Sequence, residues 1–309
     1  MKIVFMGTPD FAVSVLDEII KAGHEVGYVL TQPDKAKNRR KKVQFTPVKE
    51  LALENGITVL QPERVRGDEE LYETLKAYNP DIMVVVAYGQ ILPKEILDLP
   101  RLGCVNVHAS LLPKLRGASP IQNAIVTGET VTGVTIMQMD VGLDTGDMLT
   151  KVEVEIGNMN GEQLHDALAE AGAKLLVETL PLLDAGEIVP QPQDDSISTY
   201  AGLIKKQDGK IDFSKTPEEI ERLIRGFDPW PGAFCDCNGV VMKLWKGEPT
   251  QTKTEKADGT VIKADNDGMK VACGGRILNV TEIQVPGKKR VKIADYLRGN
   301  TIEEGTVLQ

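Results

Sequence analysis

The hydrophobic pattern of about the first 185 residues alternates short apolar runs with helical periods. One run, Ile82–Ala87, is apolar at every position, which is typical of a central parallel strand covered by helices on both faces. The pattern predicts strands at Lys2–Met6, Glu25–Thr31, Thr58–Leu60, Ile82–Ala87, Cys104–His108, Gly133–Met139 and Leu149–Glu155. It predicts helices at Ser14–Ala22, Pro47–Asn55, Glu69–Tyr78, Lys94–Asp98, Ile121–Thr127 and Gly161–Ala185. This alternation predicts an α/β fold with an open, doubly wound, mostly parallel sheet.

The pattern changes after residue 189. The segment Val189–Ser196 has two prolines, polar residues and no helical period, as a linker would. One predicted helix, Pro217–Phe227, is followed by short alternating segments with hairpin signals such as Asn238-Gly239 and Asp258-Gly259. Hairpins at this spacing predict a small β-barrel. We therefore expect a catalytic domain at 1–189, a linker at 190–205 and a barrel domain at 206–309.

Composition narrows the protein class. The 309 residues contain no apolar run long enough to cross a membrane, and Met1–Gly7 reads as a buried strand instead of a signal peptide. The four cysteines lack Cys-x-x-Cys spacing, and the three histidines lie far apart in sequence. Neither a disulfide framework nor a metal site is expected, and we predict a cytoplasmic protein with no membrane partner.

The net charge of −9 argues against indiscriminate binding to nucleic acid, but the charge is unevenly distributed. Residues 1–202 carry 18 basic and 29 acidic residues, whereas residues 203–309 carry 18 and 16. Within the acidic part, the run Lys35–Lys42 places six positive charges in eight residues. Such a run is either a solvated loop or a loop that contacts phosphates. It has no aromatic residue to stack on bases, so it would contact a nucleic-acid backbone and not read its sequence.

Two polar side chains on one predicted strand, Asn106 and His108, could face the same reacting group. Residues two apart on a strand point to the same side, and this strand runs into a long loop marked by proline and glycine. Asp144 follows in the sequence Gly-Leu-Asp-Thr-Gly. The amide donates hydrogen bonds, the imidazole can donate or shuttle a proton, and the carboxylate can orient the imidazole and keep it charged. The trio predicts oxyanion stabilisation during acyl transfer without a covalent intermediate.

Other loops leave alternatives open. Gly7–Asp10 resembles a phosphate-cradling turn, but it lacks both common nucleotide-loop spacings, which favours a structural turn. Tyr88–Pro93 is either an ordinary loop or a pocket for a flat ring, and on the second interpretation Tyr88, Gly89 and Ile91 are candidate cofactor residues. The acidic loop Asp140–Asp147 lacks the ligand spacing of a calcium site. No nucleophile is paired with a histidine as in a serine-type triad.

Several motifs together resemble the methionyl-tRNA formyltransferases, which belong to the 10-formyltetrahydrofolate-dependent formyltransferases. The matching segments are Phe5–Ala12, Thr31–Asp34, Val84–Gly89, Asn106–Pro113, Gly133–Asp147 and Asp228–Ala233. The catalytic trio is shared by the wider class, whereas the basic loop and the barrel match the tRNA enzyme. The resemblance implies a Rossmann-like catalytic domain, an OB-like barrel, and formyl transfer from 10-formyltetrahydrofolate to the amino group of methionine on initiator tRNA.

The resemblance also implies roles for particular residues. Asn106, His108 and Asp144 would be catalytic, and the loop Asp34–Gln44 would contact the tRNA acceptor stem. The folate-binding signature would consist of Ser110, Leu111, Leu112 and Pro113. The candidate tRNA-binding residues are Lys35, Lys37, Arg39, Arg40, Lys41 and Lys42. The chain departs from the family in having Leu115 where an aromatic residue is common, and in lacking glycine within Lys37–Arg40.

Three other functions remain open from the sequence. The same trio could hydrolyse 10-formyltetrahydrofolate or formylate a different amine. A folate- or nucleotide-dependent dehydrogenase would need the dinucleotide fingerprint that this chain lacks. A non-catalytic RNA-binding barrel protein would leave the trio unexplained. We expect a monomer with no resident metal.

Overall fold

The computed structural model describes residues 1–37 and 42–309, and it describes their side chains except at 35–37, 42 and 43. The helices of this part are α1 (Asp10–Lys21), α2 (Pro47–Glu54), α3 (Glu69–Tyr78), α4 (Lys94–Leu97), α5 (Pro120–Val126), α6 (Gly161–Asp184), α7 (Pro217–Gly226) and α8 (Ile293–Tyr296). Its strands are β1 (Lys2–Gly7), β2 (Glu25–Leu30), β3 (Lys35–Lys37), β4 (Lys42–Gln44), β5 (Thr58–Leu60), β6 (Ile82–Val86), β7 (Cys104–His108), β8 (Val131–Gln138), β9 (Met148–Glu155), β10 (Ala233–Cys237), β11 (Val240–Lys253), β12 (Val261–Asp265), β13 (Gly268–Cys273), β14 (Arg276–Gln284) and β15 (Val291–Lys292).

The chain forms two compact units that are not continuous in sequence. The first contains Met1–Gly117, Val131–Glu155 and His165–Ala201. The second contains Ala118–Thr130, Ile156–Leu164 and Gly202–Gln309. Most of the predicted linker, up to Ala201, therefore belongs to the first unit.

A seven-stranded sheet, in the order β5-β2-β1-β6-β7-β8-β9, forms the core of the first unit in the described chain. The strands from β5 to β7 are parallel, and β8 and β9 are antiparallel to their neighbours. This confirms the predicted mostly parallel, Rossmann-like sheet. The chain moves outward from β1 in both directions, so the carboxyl ends of β1 and β6 mark the position where such sheets bind ligands.

Burial explains why these strands form. All five residues of β6 are buried, as the continuous apolar run predicted. Helix α1 differs from its prediction at the start. It begins at Asp10, four residues before the predicted Ser14, because Phe11 and Ala12 extend its buried face. At the basic run, β3 pairs with β4 in antiparallel register, which the charge pattern did not predict. Residues 38–41 of the run lie outside the described residues.

The second unit is built on an antiparallel sheet in the order β10-β11-β14-β13-β12, with β15 paired to β14. The carboxyl-terminal residues bridge both edges, through Cys237 with Leu308 and Thr260 with Val307. Bridging both edges closes a sheet into a small barrel, as the hairpin signals predicted. Helix α7 begins in a capping box, in which Thr216 accepts from the N–H of Glu219 and Glu219 accepts from the N–H of Thr216.

No helix in the described residues has the length and apolar character needed to cross a membrane. All four cysteines lie in the described part of the chain and are free thiols. Burial raises the pKa of Cys104 and of Cys235 to about 12, which keeps both as unreactive thiols at neutral pH.

Candidate active site

Strand β7 presents Asn106 and His108 on one face near its carboxyl end. The loop after β8 brings the carboxylate of Asp144 to both of them. The Asn106 amide nitrogen is 3.5 Å from Asp144 Oδ1, and His108 Nδ1 is 3.7 Å from Asp144 Oδ2. His108 is 5% exposed, and the side chain of Asp144 is 14% exposed. The structure thus brings the three predicted residues together in a site largely shielded from water.

The backbone at Asp144 aims this carboxylate. Asp144 has φ +54°, a left-handed conformation that aspartate tolerates better than most residues. Its Oδ2 accepts a hydrogen bond of 2.8 Å from the N–H of Gly117. Gly117 has φ +105°, and a β-carbon there would lie 2.6 Å from the ring of Tyr200. The position requires glycine, and its N–H holds the carboxylate beside the imidazole.

Both ring nitrogens of His108 face oxygen acceptors. Nε2 is 3.0 Å from the carbonyl of Leu115, and Nδ1 faces Asp144. A neutral imidazole can donate from one nitrogen only, whereas an imidazolium donates from both. Nε2 can donate to Leu115 from either form of the ring, and the Nδ1–H of an imidazolium would face Asp144.

The loop Ser110–Pro113 is buried except at Leu111, which is half-buried, and hydrogen bonds hold it in place. Ser110 Oγ donates to the carbonyl of Lys114 at 2.6 Å, and Ser110 is fully buried. Thr135 on β8 donates to the carbonyl of Ser110 and accepts from the N–H of Leu112. Lys151 donates to the carbonyl of Leu112, and burial lowers the pKa of this lysine. The buried side chains of Ser110 and Leu112 thus support the backbone that forms the floor of the site.

An open pocket adjoins the trio at Asp144. It is lined by Gln90, Ile91, Leu92, Met137, Met139 and the loop Asp140–Asp144. Three apolar side chains around it are unusually exposed, Ile91 at 78%, Val141 at 73% and Leu143 at 57%. Exposed apolar side chains around a concavity are typical of a binding site for a flat apolar group.

The loops after β1, β2 and β6 meet beside this pocket. The carbonyl of Tyr88 accepts from Thr8 Oγ1 at 3.3 Å and from Gln32 Nε2 at 3.1 Å. Gly89 has φ +82° at this bend. The ring of Tyr88 is 2% exposed and packs in the apolar core, and burial raises the pKa of its hydroxyl. Among the candidate residues of this loop, Ile91 lines the pocket, whereas Tyr88 holds the neighbouring loops together through its carbonyl.

The base of the basic run is fastened by a polar cluster. Lys49 Nζ donates to Asp34 Oδ2 at 2.5 Å and to Gln61 Oε1 at 2.6 Å, and Gln61 Nε2 donates to Asp34 Oδ1. Lys49 also lies 4.2 Å from the ring centre of Phe45. The cluster joins the residue before β3 to residues after β4, so both ends of the run are fixed. Of the candidate tRNA-binding residues, Arg39, Arg40 and Lys41 lie outside the described residues, and Lys35, Lys37 and Lys42 are described only as backbone of β3 and β4.

Sequence reasoning missed the segment that ends the first unit. Gln193 Nε2 donates to the carbonyls of Asp144 and Gly146, and Gln193 Oε1 accepts from Arg116 Nε. Thr199 Oγ1 accepts from the N–H of Leu115. Its proline-rich polar composition predicted a linker and carried no signal for these contacts.

In the described residues no cluster of three histidine, cysteine or acidic side chains could hold a metal ion.

Comparison with known proteins places this site in a family. The family model described as Formyl transferase matches residues 1–180, and the model described as Formyl transferase, C-terminal domain matches residues 203–301. The chain is 51% identical to the methionyl-tRNA formyltransferase of Clostridioides difficile, over the full length of both proteins.

Two solved structures share the fold. The N-formyltransferase from Helicobacter canadensis in complex with folinic acid and dTDP-3-aminofucose has a TM-score of 0.67 at 22% identity, over 91% of this chain and 98% of that one. The methionyl-tRNA formyltransferase from Clostridium thermocellum has a TM-score of 0.54 at 22% identity, over 82% of this chain and 95% of that one.

The polar cluster at the base of the basic run should make stability depend on pH. Burial acts to raise the pKa of Asp34, but the hydrogen bonds from Lys49 and Gln61 and the charge of Lys49 together hold it below its usual 3.8. The contribution of the Asp34 carboxylate to the free energy of unfolding is therefore fully present above pH 3.8. It is lost as the pH falls through the lower pKa of Asp34 in the folded protein. We expect Lys49→Met to lower the free energy of unfolding by about 1–3 kcal/mol at pH 7.

Urea unfolding at pH 7 and pH 3 measures this difference, which should shrink at the lower pH. The matched control is Lys94→Met, since Lys94 pairs with Asp98 at 2.6 Å but both side chains are more than half exposed. An exposed pair contributes at most about 1 kcal/mol. A deficit of equal size at both pH values would assign the effect to packing of the lysine stem instead of the ion pair.

Proposed function

The chain belongs to the formyl transferase family, and we propose that it transfers the formyl group of 10-formyltetrahydrofolate to the amino group of methionyl initiator tRNA, for translation initiation. The observation that carries the proposal is the convergence of the Asn106 amide and the His108 imidazole on the carboxylate of Asp144. A hydrogen-bond donor, a proton donor and a carboxylate are the groups needed to move an acyl group directly between two bound substrates.

The first step forms a bond between the neutral methionyl nitrogen and the formyl carbon. The carbonyl oxygen becomes an oxyanion as the carbon becomes tetrahedral. Asn106 donates a side-chain N–H to that oxygen, and its present contact with Asp144, at 3.5 Å, is long enough to be exchanged for a stronger acceptor. The site is mostly shielded from water, which strengthens such a hydrogen bond.

The second step breaks the bond between the carbon and N10 of the folate. His108, as an imidazolium, gives its proton to the leaving nitrogen. The attacking amine loses one proton, which passes through water to Asp144. Asp144 then returns a proton to His108 once the two side chains close from 3.7 Å to hydrogen-bond distance, so the site regains its starting charge. No metal and no covalent enzyme intermediate is needed.

The pocket beside Asp144 supports a folate co-substrate. Ile91, Val141 and Leu143 offer exposed apolar surface that suits a fused ring and an aromatic linker. The mostly buried loop Ser110–Pro113 forms the floor next to His108, and we assign it a role in folate binding through this shape. The formyl carbon at N10 would then lie beside the trio.

Charge placement supports tRNA as the acceptor. The run Lys35–Lys42 is a basic segment within the acidic part of the chain, residues 1–202, and the cluster around Lys49 joins the residues that flank it. In the second unit, Lys243 and Arg290 flank the ring of Trp245 at 5.2 and 5.1 Å. Trp245 is half-buried, and cations beside a partly accessible aromatic ring suit an RNA backbone and its bases. We propose that the basic run contacts the acceptor stem.

The free thiols and the substrates support a cytoplasmic location, because both suit a reducing compartment where translation occurs. We further propose that the protein works as a monomer with no membrane partner. The domain limits 1–189, 190–205 and 206–309 remain predictions.

A transfer assay tests the function. Purified protein is given 10-formyltetrahydrofolate with either charged initiator tRNA or charged elongator methionine tRNA. We expect formylmethionine on the initiator tRNA and much less on the elongator. Formate release without tRNA would instead establish a hydrolase, and formylation of a small amine in place of either tRNA would establish a different acceptor.

The oxyanion role of Asn106 predicts a loss of turnover. We expect Asn106→Ala to lower kcat by about 100- to 1,000-fold, the usual cost of one oxyanion donor, with a smaller change in KM. Steady-state kinetics and circular dichroism check the rate and the fold. Asn158→Ala is the control, because Asn158 is exposed on a turn. A folded Asn106→Ala protein with near-normal kcat would refute the assignment.

The basic run predicts a salt effect. Replacing Arg39, Arg40, Lys41 and Lys42 with glutamine should raise KM for tRNA and flatten its dependence on salt, by about one unit of slope or slightly less per lost phosphate contact. The control removes the same charge elsewhere, by replacing Lys21, Lys76, Lys94 and Lys174, which are exposed on helices of the first unit. An unchanged slope in the first variant would exclude phosphate contacts by these four residues.

A further inference from the structure

We propose that Gln193 is a positioning residue for Asp144, a role that rests on the formyl-transfer function proposed above. Gln193 lies between Pro192 and Asp194, in the polar segment that follows α6, and it is half-buried. It is 49 residues from Asp144 in sequence. It reaches the catalytic loop through its carboxamide and would not touch the substrates.

The nitrogen and the oxygen of the Gln193 carboxamide each form hydrogen bonds, and each bonds to a different loop. Nε2 donates to the carbonyl of Asp144 and to the carbonyl of Gly146, both at 2.8 Å. Oε1 accepts from Arg116 Nε at 2.9 Å. Arg116 precedes Gly117, whose N–H holds the Asp144 carboxylate at 2.8 Å. These contacts close a cycle that runs from Gln193 through the Arg116 side chain and the Arg116–Gly117 backbone to the Asp144 side chain, and back through the Asp144 carbonyl to Gln193.

This cycle of hydrogen bonds restrains Asp144, whose backbone is left-handed, with φ +54°. Rotation of its peptide units would swing the carboxylate away from His108. The two bonds from Gln193 hold the carbonyls of Asp144 and Gly146, and Gly146 is itself confined because a β-carbon there would lie 1.8 Å from the carbonyl of Gln138. Holding both carbonyls therefore fixes the direction of the Asp144 side chain.

The segment that carries Gln193 is fixed on both sides of it. Gln191 exchanges two backbone hydrogen bonds with Met148, at 2.8 and 2.9 Å. Thr199 accepts from the N–H of Arg116 at 2.9 Å, and the carbonyl of Arg116 accepts from Ala201 at 2.7 Å. The segment is therefore paired with β9 on one side of Gln193 and with the loop before Gly117 on the other. These pairs fix the position from which the Gln193 carboxamide reaches the catalytic loop.

Loss of the Gln193 Nε2 donor should lower activity more than loss of the Oε1 acceptor. Arg116 has a second partner, Asp195, at 2.7 Å, although that carboxylate is 83% exposed. The carbonyls of Asp144 and Gly146 both depend on Nε2. Loss of the amide N–H groups would therefore release the catalytic loop, whereas loss of the oxygen would leave Arg116 partly paired.

The first test replaces the side chain. We expect Gln193→Ala to lower kcat about 10- to 100-fold with less than about threefold change in either KM, because a catalytic group displaced by up to about 1 Å costs rate more than affinity. Gln191→Ala is the matched control, since this exposed glutamine lies two residues away and bonds through its backbone. A normal kcat in a folded Gln193→Ala protein would overturn the proposal.

A second variant separates the two halves of the amide. Gln193→Glu keeps an acceptor for Arg116 but turns oxygen atoms towards the carbonyls of Asp144 and Gly146. We expect it to lose at least as much kcat as Gln193→Ala. Retention of full activity would show that the contact with Arg116 is sufficient, which contradicts the proposal.

A third test asks whether Gln193 acts through Asp144. In an Asp144→Ala background, Gln193→Ala should lower the remaining activity no further, because no carboxylate is left to aim. Two effects that simply multiply would place the role of Gln193 elsewhere and refute positioning.

The last measurement does not depend on activity. Amide hydrogen exchange of the ligand-free protein over residues 139–148 should be faster in Gln193→Ala than in the wild type or Gln191→Ala. Unchanged exchange would contradict positioning. Faster exchange in a protein whose wild type transfers no formyl group would leave positioning supported while the proposed function fails.

Discussion

The carboxylate of Asp144 is the acceptor on which the rest of the site depends. Two catalytic candidates, Asn106 and His108, face its two oxygens, and the N–H of Gly117 fixes its orientation. A carboxylate in a shielded site is costly unless it is surrounded by donors. Here the donors are the groups that the reaction needs, so satisfying Asp144 and assembling the site are the same structural requirement.

This requirement explains why the loops around the sheet are so heavily bonded. The carboxyl ends of β1, β6 and β7 lie at one edge, where the loops that follow them have no neighbouring strand to accept or donate. Their backbone groups are satisfied by side chains instead, as with Thr8 and Gln32 at the carbonyl of Tyr88 and Thr135 at the loop after β7. Backbone polar groups that are buried must be paired in this way. The result is a hydrogen-bonded rim around an open pocket.

The sequence predicted most of what depends on local pattern. Apolar runs and helical periods placed the strands of the seven-stranded sheet, and two-residue spacing on β7 placed Asn106 and His108 on one face. Features that depend on distant partners were not predicted. The sequence left the loop at Tyr88 open between an ordinary loop and a pocket wall, and the structure packs the ring of Tyr88 into the core. The pairing of β3 with β4 involves a charge run that gave no strand signal. The two units also interleave segments of the chain, which no local composition could indicate.

The segment around Gln193 shows that a linker-like composition is compatible with ordered contacts to neighbouring loops. Proline, glutamine, aspartate, serine and threonine are common in solvated linkers because they do not bury an apolar face. The same residues are also suited to satisfy the backbone of irregular loops, because their side chains donate and accept while proline limits the conformations of the segment. Gln193 pairs with two loop carbonyls, and Thr199 pairs with two loop N–H groups. Composition cannot separate these two uses, since the difference lies in whether an unpaired loop backbone is within reach.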